Sequence, residues 1–92
     1  MTAAMDDGTE VENTLRAVLA DILGLDRERV AGFDESSPLF GALPEFDSMA
    51  VAGLLTELEE RLGILIEDHE VDAELLETFG SLLTFARAKA LR

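Results

Sequence analysis

The sequence predicts a small all-α protein, a four-helix bundle with three longer helices, one short third helix and a long loop between the first two. Three observations favour this fold class. Apolar residues recur at helical spacing in three separate segments. No segment has an alternating strand pattern strong enough to compete. Ninety-two residues allow one domain with a modest hydrophobic core, expected over residues 9–90 after a flexible leader of residues 1–8.

The first helix is predicted to begin at a capping box. Thr9 and Glu12 have the spacing at which each side chain can satisfy the other residue's free backbone N–H. Gly24 is a suitable C-terminal stop. The apolar positions between these signals are Val11, Leu15, Val18, Leu19 and Ile22.

A stretch without clear periodicity, residues 25–46, follows the first helix. Its glycines, prolines and paired serines are turn signals. A loop of this length within a compact domain is usually functional or fixed by its own side chains. We expect it to be packed by its apolar residues, which are Val30, Phe33, Leu39, Phe40, Leu43 and Phe46.

The second helix is predicted to begin at Ser48, with Asp47 as its N-cap, and to end at Gly63. At about 100° per residue, its apolar side chains fall on one face. Those core positions are Val51, Leu54, Leu55, Leu58 and Leu62. The opposite face holds Met49, Gly53, Thr56 and Glu60, flanked by Glu57 and Glu59.

Two further helices complete the predicted bundle. The third is short, from about Asp72 to Glu77, and Ile64 and Ile66 anchor the connection that leads to it. Thr78 is a suitable N-cap for the fourth helix. The inner face of the fourth helix is predicted to contain Phe79, Leu82, Leu83 and Ala86, extended by Phe85.

The charge distribution restricts the kinds of partner. The net charge is −13, and residues 45–77 hold eleven acidic residues against Arg61 alone. Nucleic acid is therefore a poor partner, because its phosphates would be repelled. Basic patches on enzymes are the natural partners through electrostatic steering. A solvated acidic face that keeps the protein soluble is the simpler alternative.

Several site classes and locations are disfavoured by the same sequence. The absence of cysteine excludes disulfides and thiolate chemistry, so any functional thiol must come from outside the chain. No signal peptide or run of eighteen apolar residues is present, so we expect a cytoplasmic protein without membrane insertion. We also expect a monomer.

No catalytic or metal site is predicted. No nucleophile elbow surrounds any serine, and His69, the only histidine, lies in an acidic run where solvent exposure is its expected role. That run does not match an EF-hand, since Ala73 stands where the loop needs glycine. We therefore predict neither an enzyme nor a metal-binding protein.

Ser48 and Met49 each leave two interpretations open. An Asp-Ser pair before a helix is most often only a cap, but the long packed loop before it and the acidic helix after it favour a hydroxyl that receives a modification. Met49 points away from the predicted core. It can belong to a binding patch or fold back over Phe46 as local packing.

The chain resembles the acyl carrier protein family, the phosphopantetheine-binding carrier domains, from about Val11 to Ala88. Asp47-Ser48-Met49 matches the family's attachment motif, and residues 23–26 and 58–64 resemble its sequences after the first helix and at the end of the second. The resemblance implies a carrier domain in which Ser48 receives 4′-phosphopantetheine from coenzyme A through a separate phosphopantetheinyl transferase.

The same resemblance implies what the arm carries and how partners recognise the domain. Acyl groups would be held as thioesters in lipid or polyketide biosynthesis. Asp47 would flank the attachment site, and acyl-transfer, ligase or synthase enzymes would use their basic patches to dock on the second helix. The residues implied in docking are Met49, Thr56, Glu59 and Glu60.

Two departures from the family leave alternatives open. Pro44-Glu45-Phe46 replaces the usual residues before Asp-Ser, and Gly53 stands where many fatty-acid carriers have an acid. Docking to standard fatty-acid synthase enzymes is therefore in doubt, and Gly53 suggests a partner that approaches the backbone closely. The alternatives are an aminoacyl or peptidyl carrier of non-ribosomal type, and an unmodified acidic helical adaptor.

Overall fold

The computed structural model of the protein describes residues 7–91. Within that range the helices are α1 (Asp7–Leu23), α2 (Arg27–Ala31), α3 (Ser48–Leu62), α4 (Ala73–Glu77) and α5 (Phe79–Ala90), and a 3₁₀ turn at Asp68–Glu70 precedes α4. The predicted all-α bundle of three longer helices and one short helix is confirmed. None of the described helices is both long and apolar enough to cross a bilayer.

The start of α1 differs from the prediction. The helix begins at Asp7, so residues 7 and 8 are helical and only residues 1–6 of the predicted leader lie outside the described part. The capping box at Thr9 is wrong because the Glu12 carboxylate binds Arg16 and Arg87 instead. Arg87 also donates to the Gly8 carbonyl at 3.3 Å, which fixes the first turn of α1 against α5.

The helix α2 was not predicted, because five residues are too few to show a period. Its one buried side chain is Val30. Arg16 fixes it from α1, donating to the carbonyls of Val30 at 2.6 Å and Phe33 at 3.1 Å. The guanidinium of Arg16 also lies 4.5 Å from the ring centroid of Phe79, a cation–π contact that links α2 to the start of α5.

The middle of the long connection is bonded to the junction of α4 and α5. Backbone N–H groups of Leu39 and Phe40 donate to the carbonyls of Glu77 and Leu76 at 2.8 and 3.0 Å. In the other direction, Phe79 donates to Ser37 at 2.9 Å. The prediction of a packed loop is confirmed by buried Val30, Leu39 and Phe46 and by half-buried Phe33 and Leu43. Phe40 is 40% exposed, but its ring packs against Phe46.

The last two helices begin as predicted. The Asp72 carboxylate accepts the N–H of Leu75 at the start of α4, and the Thr78 hydroxyl accepts the N–H of Ser81 at the start of α5. The predicted inner residues Phe79, Leu82, Leu83 and Ala86 are buried. They complete a core to which α1 contributes Leu15, Val18 and Leu19 without exposed surface.

Candidate functional site

Ser48 is the first residue of α3, and the residue before it is a regular helix cap. Asp47 has extended backbone angles of φ −96° and ψ −174°, and its carboxylate accepts the N–H of Ala50 at 2.9 Å. The next N–H of the helix, from Val51, is bonded to the Asp47 carbonyl. These contacts place Ser48 at the N-terminal end of a capped helix, as the sequence predicted.

The Ser48 side chain is exposed, and its hydroxyl takes part in no hydrogen bond among residues 7–91. The neighbouring Asp47 carboxylate is already used by the helix N-terminus. His69, the only histidine, lies in the turn that follows the other end of α3. An exposed hydroxyl without an adjacent base is suited to modification by another protein rather than to nucleophilic catalysis.

The N-terminus of α3 is also compatible with a phosphate on Ser48. Its first turn contains no acidic side chain, and the unpaired N–H groups and dipole of a helix N-terminus favour negative charge. Ser48 therefore offers an accessible oxygen for a phosphodiester, and the positive end of the helix offsets part of the charge of the capping Asp47 carboxylate.

The segment that leads into Ser48 is held by aromatic packing. Phe46 is buried, and its ring meets that of Phe40 edge-on, with centroids 5.8 Å apart and planes at 82°. Glu45, in the part of the chain that departs from the family pattern, approaches Arg29 of α2 at 3.7 Å. That pair is exposed, so it contributes little to stability, and Phe46 is the main anchor.

The two faces of α3 largely follow the predicted pattern. Leu54 and Leu58 have no exposed surface, and the other predicted core residues are half-buried. Met49 is 84% exposed, and Thr56 and Glu60 are exposed on the same outer side. The exposure of Met49 excludes the alternative in which it packs over Phe46.

Gly53 corrects the predicted outer face. It is half-buried, and a Cβ there would lie 3.4 Å from Cδ1 of Ile22 in α1. The helix wheel placed Gly53 outward because it was centred on the leucines, whereas α1 packs against α3 from the side of Gly53. The side chain of Ile22 therefore covers Gly53, which does not offer bare backbone to a partner.

Glu59 also differs from the prediction, because its side chain is bonded within the protein and is not free to contact a partner. It is half-buried, and its carboxylate accepts the backbone N–H of Ile66 at 2.8 Å. This bond holds the chain that leaves α3. Of the four residues that the resemblance implies in docking, three are therefore exposed on α3, and Glu59 is engaged within the protein.

Arg61 is neutralised by its own chain. Its guanidinium binds Asp21 of α1 at 3.0 Å and Glu57 at 2.9 Å. Hydrogen bonds from the carboxylates of Asp21 and Glu57 raise the pKa of Arg61 above its ordinary value. A partner approaching residues 45–77 therefore meets a surface whose only basic side chain is already paired.

The acidic run around His69 does not form a metal site. Within residues 7–91 no group of three or more histidine, cysteine or carboxylate side chains is placed to hold an ion. Glu70 binds Lys89 at 2.9 Å, and Asp72 caps α4. His69 is exposed, as predicted.

The comparisons with known proteins agree on one family. Residues 13–86 match the family described as the phosphopantetheine attachment site, and this range contains all of α3. The solution NMR structure of a holo acyl carrier protein from Nitrosomonas europaea is similar, with 41% sequence identity and a TM-score of 0.75. That match covers 85% of this chain and 92% of the other. No curated protein gives a significant match.

Proposed function

The chain belongs to the phosphopantetheine-binding family of carrier proteins, and we propose that Ser48 is the residue that bears its prosthetic group. A carrier of this family is not an enzyme, and its phosphopantetheine is covalently attached. The observation that carries the assignment is the exposed, unbonded hydroxyl of Ser48 at the first position of α3.

Attachment requires little from the chain itself. The Ser48 oxygen forms a bond to the phosphorus that carries the pantetheine group of coenzyme A, the diphosphate bond breaks, and adenosine 3′,5′-bisphosphate leaves. The hydroxyl proton is taken up by the transferase in this proposal, because the neighbouring Asp47 carboxylate is engaged as the helix cap. The arm supplies a terminal thiol to a cysteine-free chain, and acyl groups are carried on it as thioesters.

The docking surface in this proposal is the outer face of α3. Met49 provides an adaptable apolar contact, Thr56 a hydroxyl and Glu60 a charge, and all three are exposed. Basic patches on the transferase and on acyl-handling enzymes would meet this face. Glu59 takes a supporting part, because its carboxylate holds the N–H of Ile66.

Acyl intermediates of lipid or polyketide biosynthesis in the cytoplasm are the proposed cargo. The similarity to a holo acyl carrier protein supports an acyl group over an aminoacyl group. Loading assays with fatty-acyl and aminoacyl ligases separate the two, and aminoacylation without acylation would overturn the choice.

The attachment site is tested by intact mass spectrometry after incubation with coenzyme A and a broad-specificity phosphopantetheinyl transferase. The expected result is one phosphopantetheine per chain, lost completely in Ser48→Ala and retained in Ser37→Ala. An unmodified wild-type protein, or an adduct that survives Ser48→Ala, would contradict the assignment. The unmodified adaptor is the alternative that a missing adduct would favour.

The docking face is tested through the kinetics of the same reaction. Met49→Ala is expected to raise the KM of the carrier for the transferase roughly fivefold, the effect of about 1 kcal/mol at an interface position. Glu60→Gln should raise it less, and more strongly at low salt. Glu10→Gln removes an exposed acid from α1 and is the matched control. Equal effects of Glu10→Gln and Glu60→Gln would show that only net charge matters.

A further inference from the structure

Phe40 is an exposed aromatic side chain to which the proposed function assigns no role. Among residues 7–91 the large apolar side chains that are exposed are Phe40, Met49, Leu65 and Leu91. Phe40 is 40% exposed although its neighbour Leu39 is completely buried. The exposed part of this ring is apolar surface that a neighbouring group could cover, so the position of the ring relative to Ser48 becomes important.

The ring of Phe40 is fixed close to the attachment site. Its backbone N–H is bonded to the Leu76 carbonyl at 3.0 Å, and its ring packs edge-on against Phe46. Phe46 precedes Ser48 by two residues, a chain distance of at most about 7 Å. These contacts fix the Phe40 ring, and Phe46 connects it to the start of α3.

The other apolar surfaces are less suitable for a group attached to Ser48. Met49 is 84% exposed, so little protein lies behind it and its flexible side chain remains free for a partner. Three surface cavities of about 230, 320 and 430 Å³ lie away from Ser48 in the chain, because none of them is lined by a residue between 32 and 60. Leu65 lies beyond the far end of α3, a helix about 22 Å long.

We propose that the outer surface of the Phe40 ring is the resting place of the phosphopantetheine arm when no enzyme is bound. The methyl and methylene groups of the arm would cover the ring, while its amides stay in water. The contact need not be strong, because attachment to Ser48 gives the arm a high effective concentration near Phe40. This inference rests on the proposed modification of Ser48.

In this arrangement the two exposed apolar side chains near Ser48 have different roles. Phe40 would hold the arm, and Met49 would meet the partner enzyme. A partner that docks on Met49 could then lift the arm from Phe40 without competing for the same side chain.

The test is NMR spectroscopy of the holo protein, after intact mass has shown complete modification. Aromatic signals are few, because the chain has five phenylalanines, one histidine and neither tyrosine nor tryptophan. We expect nuclear Overhauser cross-peaks between arm protons and the Phe40 ring, and methyl signals of the arm shifted upfield from those of free coenzyme A. In Phe40→Leu the upfield shift should be lost, whereas Leu65→Ala should leave it unchanged.

The possible failures can be told apart. Absence of modification contradicts the proposed function, and this inference falls with it. A fully modified protein whose arm signals match free coenzyme A, or whose cross-peaks reach Met49 and not Phe40, overturns this inference while the carrier function stands. The cross-peaks of the wild-type protein decide the matter even where Phe40→Leu fails to fold.

Discussion

The two connections that flank α3 are held against the bundle by different kinds of contact. The first connection (residues 24–47) is fixed by buried apolar side chains and by backbone hydrogen bonds to the junction of α4 and α5. The second connection (residues 63–72) packs the half-buried side chains of Ile66 and Val71 against the core and adds carboxylate contacts. Glu59 accepts the Ile66 N–H, and Glu70 binds Lys89. The Leu65 side chain of this connection is 67% exposed.

The difference has a functional meaning, because Ser48 follows the first connection directly. Apolar burial and backbone bonds respond weakly to pH and salt, so the segment that leads into Ser48 is expected to keep its packing when these conditions change. Contacts made by carboxylates respond to both conditions. Through Glu70 and Lys89, the second connection is therefore expected to respond to pH and salt.

The largest expected effect compares the same truncation in the two connections. Leu39→Ala removes a completely buried side chain of the first connection and should lower the free energy of unfolding by about 2–5 kcal/mol. Leu65→Ala removes an exposed side chain of the second and should change it by less than about 0.5 kcal/mol. Urea denaturation measures both. Equal losses would show that the two connections are not held differently.

Alanine substitutions at two glycines are expected to have the next largest effect on the free energy of unfolding. A Cβ on Gly80 would lie 2.6 Å from the Glu35 carbonyl oxygen, which belongs to the backbone of the first connection. Gly80→Ala should therefore cost about 1–3 kcal/mol. Gly53→Ala meets only the end of the Ile22 side chain and gains helix propensity, so a gain of up to about 1 kcal/mol is expected. A neutral Gly80→Ala in thermal unfolding would mean that the first connection can move away from α5.

The second connection is tested through Glu59. Glu59→Ala leaves the Ile66 N–H without its acceptor and should cost about 1 kcal/mol, while Glu59→Gln keeps an acceptor and should cost less. Glu60→Ala, on the exposed side of the same helix, is the matched control. Amide exchange at Ile66 should become faster in Glu59→Ala alone. Unchanged exchange there would show that the bond does not hold the connection.

The features that could be predicted from sequence were those encoded by neighbouring residues. Helical spacing, together with Asp47 and Thr78 as caps and Gly24 and Gly63 as stops, was enough to locate the end of α1, both ends of α3 and the start of α5. The positive φ of 67° at Gly24 and 66° at Gly63 agrees with the stops. Ser48 at the start of α3 followed from the same local signals.

The features that were missed depend on contacts between distant segments. Arg16 binds carbonyls fourteen and seventeen residues away, and no local pattern reveals that it supports α2. A helix wheel gives the apolar direction of α3, but it does not give the side from which α1 approaches Gly53. Glu59 could have been suspected from its position near the end of α3, yet its bond to Ile66 depends on the path of the chain beyond Gly63.

The smallest expected effect concerns the pH dependence of the second connection. Hydrogen bonding from the Glu67 backbone N–H, followed by that from Lys89, lowers the pKa of Glu70 below its ordinary value of 4.5. Because the pKa is lower in the folded state, the stabilisation is fully present above 4.5 and is lost as the pH falls through the folded-state pKa. Glu70→Gln should therefore be less stable than wild type at neutral pH and equal to it at low pH.

A carboxyl NMR titration of Glu70 measures this directly. Lys89→Gln should move the pKa of Glu70 part of the way back toward 4.5, because the Glu67 N–H remains in place. Since both groups of this pair lie near the surface, added salt should shift the pKa in the same direction as Lys89→Gln. A Glu70 that titrates at its ordinary value in the wild-type protein would mean that the Glu70–Lys89 pair does not hold the second connection, and Glu59 would remain as its carboxylate contact.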